Sequence, residues 1–113
     1  MSKNFFKPAI DGLFLFFKTE RNAQIHIAIA VSVVIAGFVF GITRSEWLII
    51  ILCIGIVLVA EALNTAIEKL GNAITNDKNR LIKSAKDISA GAVLLAAITA
   101  AIIGGLIFLP YLF

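Results

Sequence analysis

Hydrophobic residues dominate three long stretches of this chain, and short polar segments separate them. The first and third stretches, residues 25–42 and 88–109, have about the 20 residues that a helix needs to cross the hydrocarbon core of a bilayer. The second stretch begins at Trp47 and is long enough only if its helix continues to about Leu70. The pattern therefore predicts three transmembrane helices, at about 25–42, 47–70 and 88–109.

The segment before the first stretch has a different pattern. Residues 4–19 mix phenylalanine and leucine with Lys7, Asp11 and Lys18, which is typical of an amphipathic helix lying on a membrane surface. The alternative interpretation is an aromatic lead-in to the first transmembrane helix.

Several polar residues near the helix ends have a structural interpretation. Ser45 could cap the second transmembrane helix. Ser84 and Asp87 have the spacing of a capping box, so the third helix could start there. Arg21 and His26 fit positions at the membrane interface without a further role.

The composition agrees with a membrane protein. Of the 113 residues, 60% are hydrophobic and 15% are charged, which excludes an ordinary soluble protein, and the length suits one domain over residues 1–113. The predicted fold class is all-α, with three transmembrane helices and an N-terminal surface helix. The net charge of +3 is spread over the helix ends, so we expect a lipid bilayer as partner and no nucleic acid.

The basic residues are distributed unevenly. Four precede the first transmembrane helix, five lie from the last turn of the second helix to the start of the third, and only Arg44 lies between the first and second. By the positive-inside rule, the N-terminus and the second connection face the cytoplasm. We expect a multi-pass protein of the cytoplasmic membrane with its charged face inside.

Four polar residues interrupt the second transmembrane helix. Glu61, Asn64, Thr65 and Glu68 have the spacings i, i+3, i+4 and i+7, which place them on one face. Hydrogen bonding between helices would explain Asn64 and Thr65. It explains two acids poorly, because an ionisable group at membrane depth is costly. The pattern favours a functional site.

The predicted topology brings further charged residues to the same membrane face. Glu20 precedes the first transmembrane helix, and Lys86 and Asp87 precede the apolar part of the third. Mg²⁺ needs only one or two carboxylates when water and phosphates complete its shell, so Glu20 and Glu68 could hold the metal of a nucleotide. Lys86 would supply positive charge, and the deeper Glu61 could take a proton from a lipid hydroxyl.

Small residues recur every four positions in the third helix, at Ala92, Ala96, Ala100 and Gly104. Such rows let helix backbones approach closely in lipid. We expect this face to pack inside the protein or against another subunit.

Two motifs together carry a resemblance to a known family. The run Glu61-Ala-Leu-Asn64-Thr-Ala-Ile-Glu68, followed eighteen residues later by Lys86-Asp87, resembles the bacterial integral-membrane diacylglycerol kinase and undecaprenol kinase family over residues 11–109. The resemblance implies a homotrimer, with sites between subunits, that transfers the γ-phosphate of ATP to a lipid alcohol with Mg²⁺. It also implies these roles: Glu61 as catalytic base, Glu20 and Glu68 as metal ligands at the nucleotide, Lys86 and Asp87 as nucleotide contacts, Asn64 as support for the centre, and Asp77, Lys78 and Asn79 on the nucleotide by position.

Other positions bear on the lipid. Residues 19–26, which include Asn22 as a lipid-side or supporting residue, are similar to the undecaprenol kinase branch. Ala90 stands where the diacylglycerol kinase branch carries a serine, so undecaprenol is the favoured substrate. Asn72 stands where the family pattern has an acid, which weakens one expected nucleotide contact.

A rival hypothesis comes from a different class of protein. In a non-enzymatic membrane subunit, Glu61 would bind a proton or an ion and the loops would only solvate the helix ends. This hypothesis accounts for Glu61 but leaves the gathering of the other charged residues at one face unexplained.

Overall fold

A computed structural model describes residues 5–75 and 77–113, and most of these residues are helical. The helices are α1 (Phe6–Thr19), α2 (Arg21–Phe40), α3 (Arg44–Ile74) and α4 (Arg80–Leu112). No strand occurs within the described ranges. The all-α prediction is confirmed.

Three of these helices are long and apolar enough to cross a membrane, as predicted. They are α2, α3 and α4, with 20, 31 and 33 residues. At 31 residues, α3 is about 46 Å long, which exceeds the roughly 30 Å of a hydrocarbon core. A helix of this length carries its terminal turns beyond the hydrocarbon, and those turns can hold charged residues.

Helix α1 covers most of the segment predicted as a surface helix. Its predicted beginning at residue 4 lies outside the described residues. Only Glu20, with extended backbone angles of φ −95° and ψ 118°, separates α1 from α2. Most apolar side chains of α1 are exposed, and Phe16 is buried. A position on the membrane surface stays a prediction.

The turn between α2 and α3 differs in one detail from the expectation. Gly41 ends α2 in the left-handed region, with φ 64°. The cap of α3 is Thr43, so the prediction of Ser45 is wrong. Thr43 Oγ1 accepts from the Glu46 amide at 3.2 Å, and Glu46 Oε1 accepts from the Thr43 amide at 2.9 Å, which is a full capping box.

Helix α4 begins earlier than its apolar stretch. Asn79 Oδ1 accepts from the first free amides of the helix, which therefore starts at Arg80. The capping box predicted for Ser84 and Asp87 is wrong, because both residues lie inside the helix. Before α4, Asn76 lies outside the described residues.

The buried residues differ between the two ends of the bundle. Helices α3 and α4 make the most extensive contact, α2 packs on α3, and α1 packs on α2. At the end that holds Thr43, the core is apolar and contains Ile42, Ile50 and Ile107. At the opposite end, which we call the Glu20 end, the buried residues include Glu61, Asn64, Thr65 and Ser89. Buried polar groups need partners, so this end restricts how the helices rotate against each other.

Close packing at the Thr43 end gives a stability prediction. A β-carbon at Gly37 would lie 2.6 Å from Cη2 of the Trp47 ring, which is too short for any real contact. We expect Gly37→Ala to lower the free energy of unfolding by about 1–3 kcal/mol, as overpacking does in other cores. Thermal unfolding in detergent micelles measures this loss.

The matched control is Gly12→Ala in α1, where no atom lies within 4 Å of the added β-carbon. It should leave stability unchanged or raise it by about 0.5–1 kcal/mol, because alanine favours helix. Equal unfolding midpoints for the two variants would contradict the proposed clash at Gly37.

Candidate active site

The polar stripe of α3 is buried along most of its length. Glu61, Asn64 and Thr65 are 3%, 7% and 7% exposed. Glu68, on the same face and two turns beyond Glu61, is exposed. The stripe therefore runs from the interior of the bundle to its surface at the Glu20 end.

Both carboxylate oxygens of Glu61 face groups from α2. Asn22 Nδ2 lies 3.5 Å from Oε1, a distance at the limit of a hydrogen bond. His26 Nε2 lies 3.3 Å from Oε2. Asn22 and His26 are one helical turn apart, so one face of α2 covers the carboxylate. Within the described part of the chain, no lysine or arginine forms an ion pair with Glu61.

Asn64 connects α4 to the exposed end of the stripe. Ser89 Oγ donates to Asn64 Oδ1 at 2.6 Å, and Asn64 Nδ2 lies 3.4 Å from Glu68 Oε1. A carboxylate can only accept, so the amide must turn its nitrogen toward Glu68 and its oxygen toward Ser89. Ser89 on α4 thus orients a side chain that supports the carboxylate of Glu68.

The two predicted metal ligands lie at the same end of the bundle. Glu20 is at the junction of α1 and α2, and its Oε2 lies 3.8 Å from Nζ of Lys69, which directly follows Glu68 in α3. The side chain of Glu20 is 30% exposed, and Glu68 is also open to solvent. No group of three or more His, Cys, Asp or Glu side chains gathers among the residues described. Two accessible carboxylates are the hard oxygen donors that Mg²⁺ takes when it shares a site with phosphates, so these residues fit the metal.

Lys86 lies across the end of α3. Its Nζ donates to Asn72 Oδ1 at 2.5 Å. A β-carbon at Gly71 would lie 3.0 Å from Lys86 Cε, so the glycine leaves room for the lysine to cross. Because Asn72 is neutral, this contact does not cancel the positive charge of Lys86. Asn72 therefore holds the lysine in place without pairing its charge.

Asp87 is exposed, as are Asp77, Lys78 and Asn79 before α4. Asp87 accepts from Lys83 Nζ at 2.7 Å, one turn earlier in α4. In the loop, the Asp77 amide donates to Thr75 Oγ1 at 3.0 Å. Asn79 uses its side-chain oxygen to cap α4, which leaves its amide nitrogen for a ligand. Lys78 is exposed beside it.

The structure thus brings together groups that are distant in sequence. Glu61 contacts Asn22 of α2, Asn64 contacts Glu68, and Glu20 forms an ion pair with Lys69. Asp77, Lys78 and Asp87 lie in the connection and first turns of α4, and no contact ties them to the Glu61 carboxylate in the described residues.

Sequence reasoning missed two members of the site. The sequence pattern places His26 at the membrane interface and indicates no role for Ser89. His26 follows Asn22 by four residues, and Ser89 follows Lys86 by three, so helical spacing from a predicted site residue could have indicated both.

Comparisons with known proteins cover almost the whole chain. The profile of the prokaryotic diacylglycerol kinase family matches residues 7–108. The undecaprenol kinase of Bacillus subtilis (strain 168) is 46% identical over 111 residues, which are 96% of this chain and 90% of that protein. The diacylglycerol kinase of a Synechocystis sp. strain is 38% identical over 106 residues, which are 93% of this chain and 61% of that protein.

Proposed function

The chain belongs to the prokaryotic diacylglycerol kinase family and is a lipid kinase with membrane-spanning helices, and we propose that it transfers the γ-phosphate of ATP to undecaprenol in preference to diacylglycerol. The resemblance found in the sequence is confirmed. The observation that carries the proposal is the burial of Glu61, 3% exposed, on the same helix as the exposed Glu68. This difference in exposure supports a role for Glu61 at a lipid hydroxyl and a role for Glu68 at a nucleotide in water.

Glu61 would act as the general base. It takes the proton as the lipid O–H bond breaks, while the lipid oxygen forms a bond to the γ-phosphorus. The bond from that phosphorus to the bridging oxygen breaks, and ADP leaves with the electron pair. A positioned base is suited to this step because phosphoryl transfer asks mainly for positioning and charge stabilisation. Asn64 and Asn22 support the centre from α3 and α2.

The nucleotide would be held by the charged residues around Glu68. Glu20 and Glu68 would hold Mg²⁺, which supplies charge neutralisation at the phosphate oxygens when bound. Lys86 would contact the phosphates with a charge that Asn72 leaves unpaired. The remaining proposed nucleotide contacts are Asp87, Asp77, Lys78 and Asn79.

Two observations support undecaprenol as the preferred lipid. The relative named undecaprenol kinase is 46% identical to this chain, compared with 38% for the diacylglycerol kinase. Ala90 has no hydroxyl, and the neighbouring Ser89 is buried and bonded to Asn64, so it does not replace one. The rival ion-binding subunit is not favoured, because the chain belongs to a family of kinases.

A labelling assay tests the proposal. The purified protein is supplied with γ-labelled ATP and Mg²⁺ in mixed micelles that contain undecaprenol or diacylglycerol. We expect label in both lipids, a higher kcat/KM for undecaprenol, and no transfer when EDTA removes the metal. Preferred labelling of diacylglycerol would overturn the lipid choice, and transfer without a divalent metal would overturn the role of Mg²⁺.

We further propose the assembly and orientation of the enzyme. It forms one domain over residues 1–113 and a homotrimer in the cytoplasmic membrane, with α1 on the membrane surface and the active site facing the cytoplasm. Many large apolar side chains of the described residues are exposed, including Leu52, Ile56, Leu95 and Leu106, and such surfaces suit lipid or a second subunit. Ala92, Ala96, Ala100 and Gly104 would form part of the packed surfaces.

Cysteine labelling tests the orientation. In a Cys53→Ala background, we expect Lys78→Cys, at an exposed position before α4, to react only with reagents added from the cytoplasmic side. The control is Arg44→Cys at the Thr43 end, which should react only from outside. Labelling of position 78 from outside would reverse the orientation and remove the active site from the side that holds ATP.

A further inference from the structure

His26 contacts Glu61 through a single polar atom. Nε2 of His26 lies 3.3 Å from Glu61 Oε2, and the histidine side chain is 20% exposed. Within the described part of the chain, the ring makes no ion pair or hydrogen bond with any residue other than Glu61. The contact joins α2 to α3 across 35 positions of sequence, so only the packing of the two helices creates it.

The rest of the imidazole faces an apolar space. His26 lines a cavity of about 390 Å³ between α2, α3 and α4, together with residues such as Ala30, Val57, Ala97 and Gly104. A ring nitrogen without a polar partner is costly in such surroundings, and the Glu61 carboxylate is the polar group that lies 3.3 Å from Nε2. Donation from Nε2 to the carboxylate requires a proton on that ring nitrogen.

We propose that His26 is a positioning residue for Glu61, donating from Nε2 to Oε2 so that Oε1 is held toward the lipid hydroxyl. This inference rests on the proposed role of Glu61 as the base. His26 Nε2 lies 3.3 Å from Oε2 and Asn22 Nδ2 lies 3.5 Å from Oε1, so we assign the more distant Asn22 contact as the one that yields, which leaves Oε1 to accept the proton. A glutamate has three rotatable side-chain bonds, and His26 restricts them at the far end.

The imidazole acts on the orientation of the base and does not touch the substrate. A misplacement of about 1 Å at a reacting group costs about 100-fold in rate. Loss of the His26 donor should therefore lower kcat and leave the KM for ATP unchanged, because the nucleotide contacts lie elsewhere. If His26 only packed α2 against α3, kcat would not depend on whether the substituted polar side chain reaches Oε2 of Glu61.

Glutamine and asparagine at position 26 separate these roles. The amide nitrogen of glutamine lies where Nε2 lies in histidine, whereas that of asparagine is one bond shorter and does not reach Oε2. We expect His26→Gln to keep kcat within about 3-fold of the wild type and His26→Asn to lose about 10- to 100-fold. Both variants should unfold at similar temperatures in detergent, because they are alike in polarity. Equal kcat values for the two variants, high or low, would overturn the proposal.

A double mutant tests whether His26 acts through Glu61. In a Glu61→Gln background, His26→Asn should change kcat by less than about 2-fold, since the group that it positions is gone. If the two losses multiplied, His26 would act independently of Glu61 and the inference would fail. Failure of the proposed function has another signature: Glu61→Gln with histidine at position 26 would then keep the wild-type rate.

Discussion

Glu61→Gln is expected to lower the kcat of lipid phosphorylation by about 10²- to 10⁴-fold, the contribution typical of a positioned general base. Glutamine has nearly the same shape, and its carbonyl oxygen can still accept from His26 Nε2. The Asn22 amide can turn to accept from the new NH₂ group. A neutral glutamine can therefore occupy position 61, where the side chain is 3% exposed, and the helices should remain packed.

Two measurements separate lost chemistry from lost structure. ATP binding should survive in Glu61→Gln, because Glu20, Glu68 and Lys86 are unchanged. The matched control is Glu46→Gln at the opposite end of α3, where Glu46 Oε1 accepts from the Thr43 amide and from Tyr111. It should keep kcat within a few-fold. Loss of ATP binding in Glu61→Gln would make Glu61 a structural or metal-binding group, and a retained rate would move the base elsewhere.

Hydropathy predicted the membrane-spanning helices well because lipid imposes a simple rule on them. A helix that crosses a bilayer must be apolar over about 20 residues, and this requirement is visible in sequence. The rule covers only the hydrocarbon region, so the start of α4 at Arg80 was missed. Residues 80–87 are helical outside the apolar stretch, where hydropathy carries no signal.

The caps were mispredicted for a local reason. Thr43 and Ser45 are both suitable by residue type, but only Thr43 has a glutamate three residues later, and the capping box forms there. At α4, Asn79 and Ser84 offered the same choice. Cap preference is a property of many polar residues, so it locates a helix end only to within a turn.

The site could be predicted along one helix but not between helices. Helical spacing placed Glu61 and Asn64 on a common face, and the structure buries both. The partners His26 and Ser89 depend on how α2 and α4 are rotated against α3, which is decided by packing of the whole bundle. The sequence alone predicts which residues share one face of a helix. It does not predict which residues of two helices contact each other.

The second large loss of activity is expected from substitutions at the proposed metal site. Glu68→Gln and Glu20→Gln should each lower kcat/KM at saturating lipid by about 100-fold or more, because charge is removed from a hard oxygen ligand while its shape is kept. Neither change should unfold the protein. Glu68 is exposed and takes one hydrogen bond, from Asn64 at 3.4 Å, which glutamine can still accept. Glu20 loses only a partly exposed contact with Lys69 at 3.8 Å, and such pairs contribute about 0–1 kcal/mol.

Titration of activity with Mg²⁺ identifies the cause of the loss. If the carboxylates hold the metal, both variants should need higher Mg²⁺ for half-maximal rate, and Asp11→Asn, an exposed acid paired with Lys7 in α1, should match the wild type. Because Asn64 bridges Ser89 and Glu68, Ser89→Ala should shift the Mg²⁺ requirement in the same direction but by less. A normal Mg²⁺ dependence in both Glu20→Gln and Glu68→Gln would show that the metal is bound elsewhere. In that case, the polar stripe of α3 would serve the lipid hydroxyl alone.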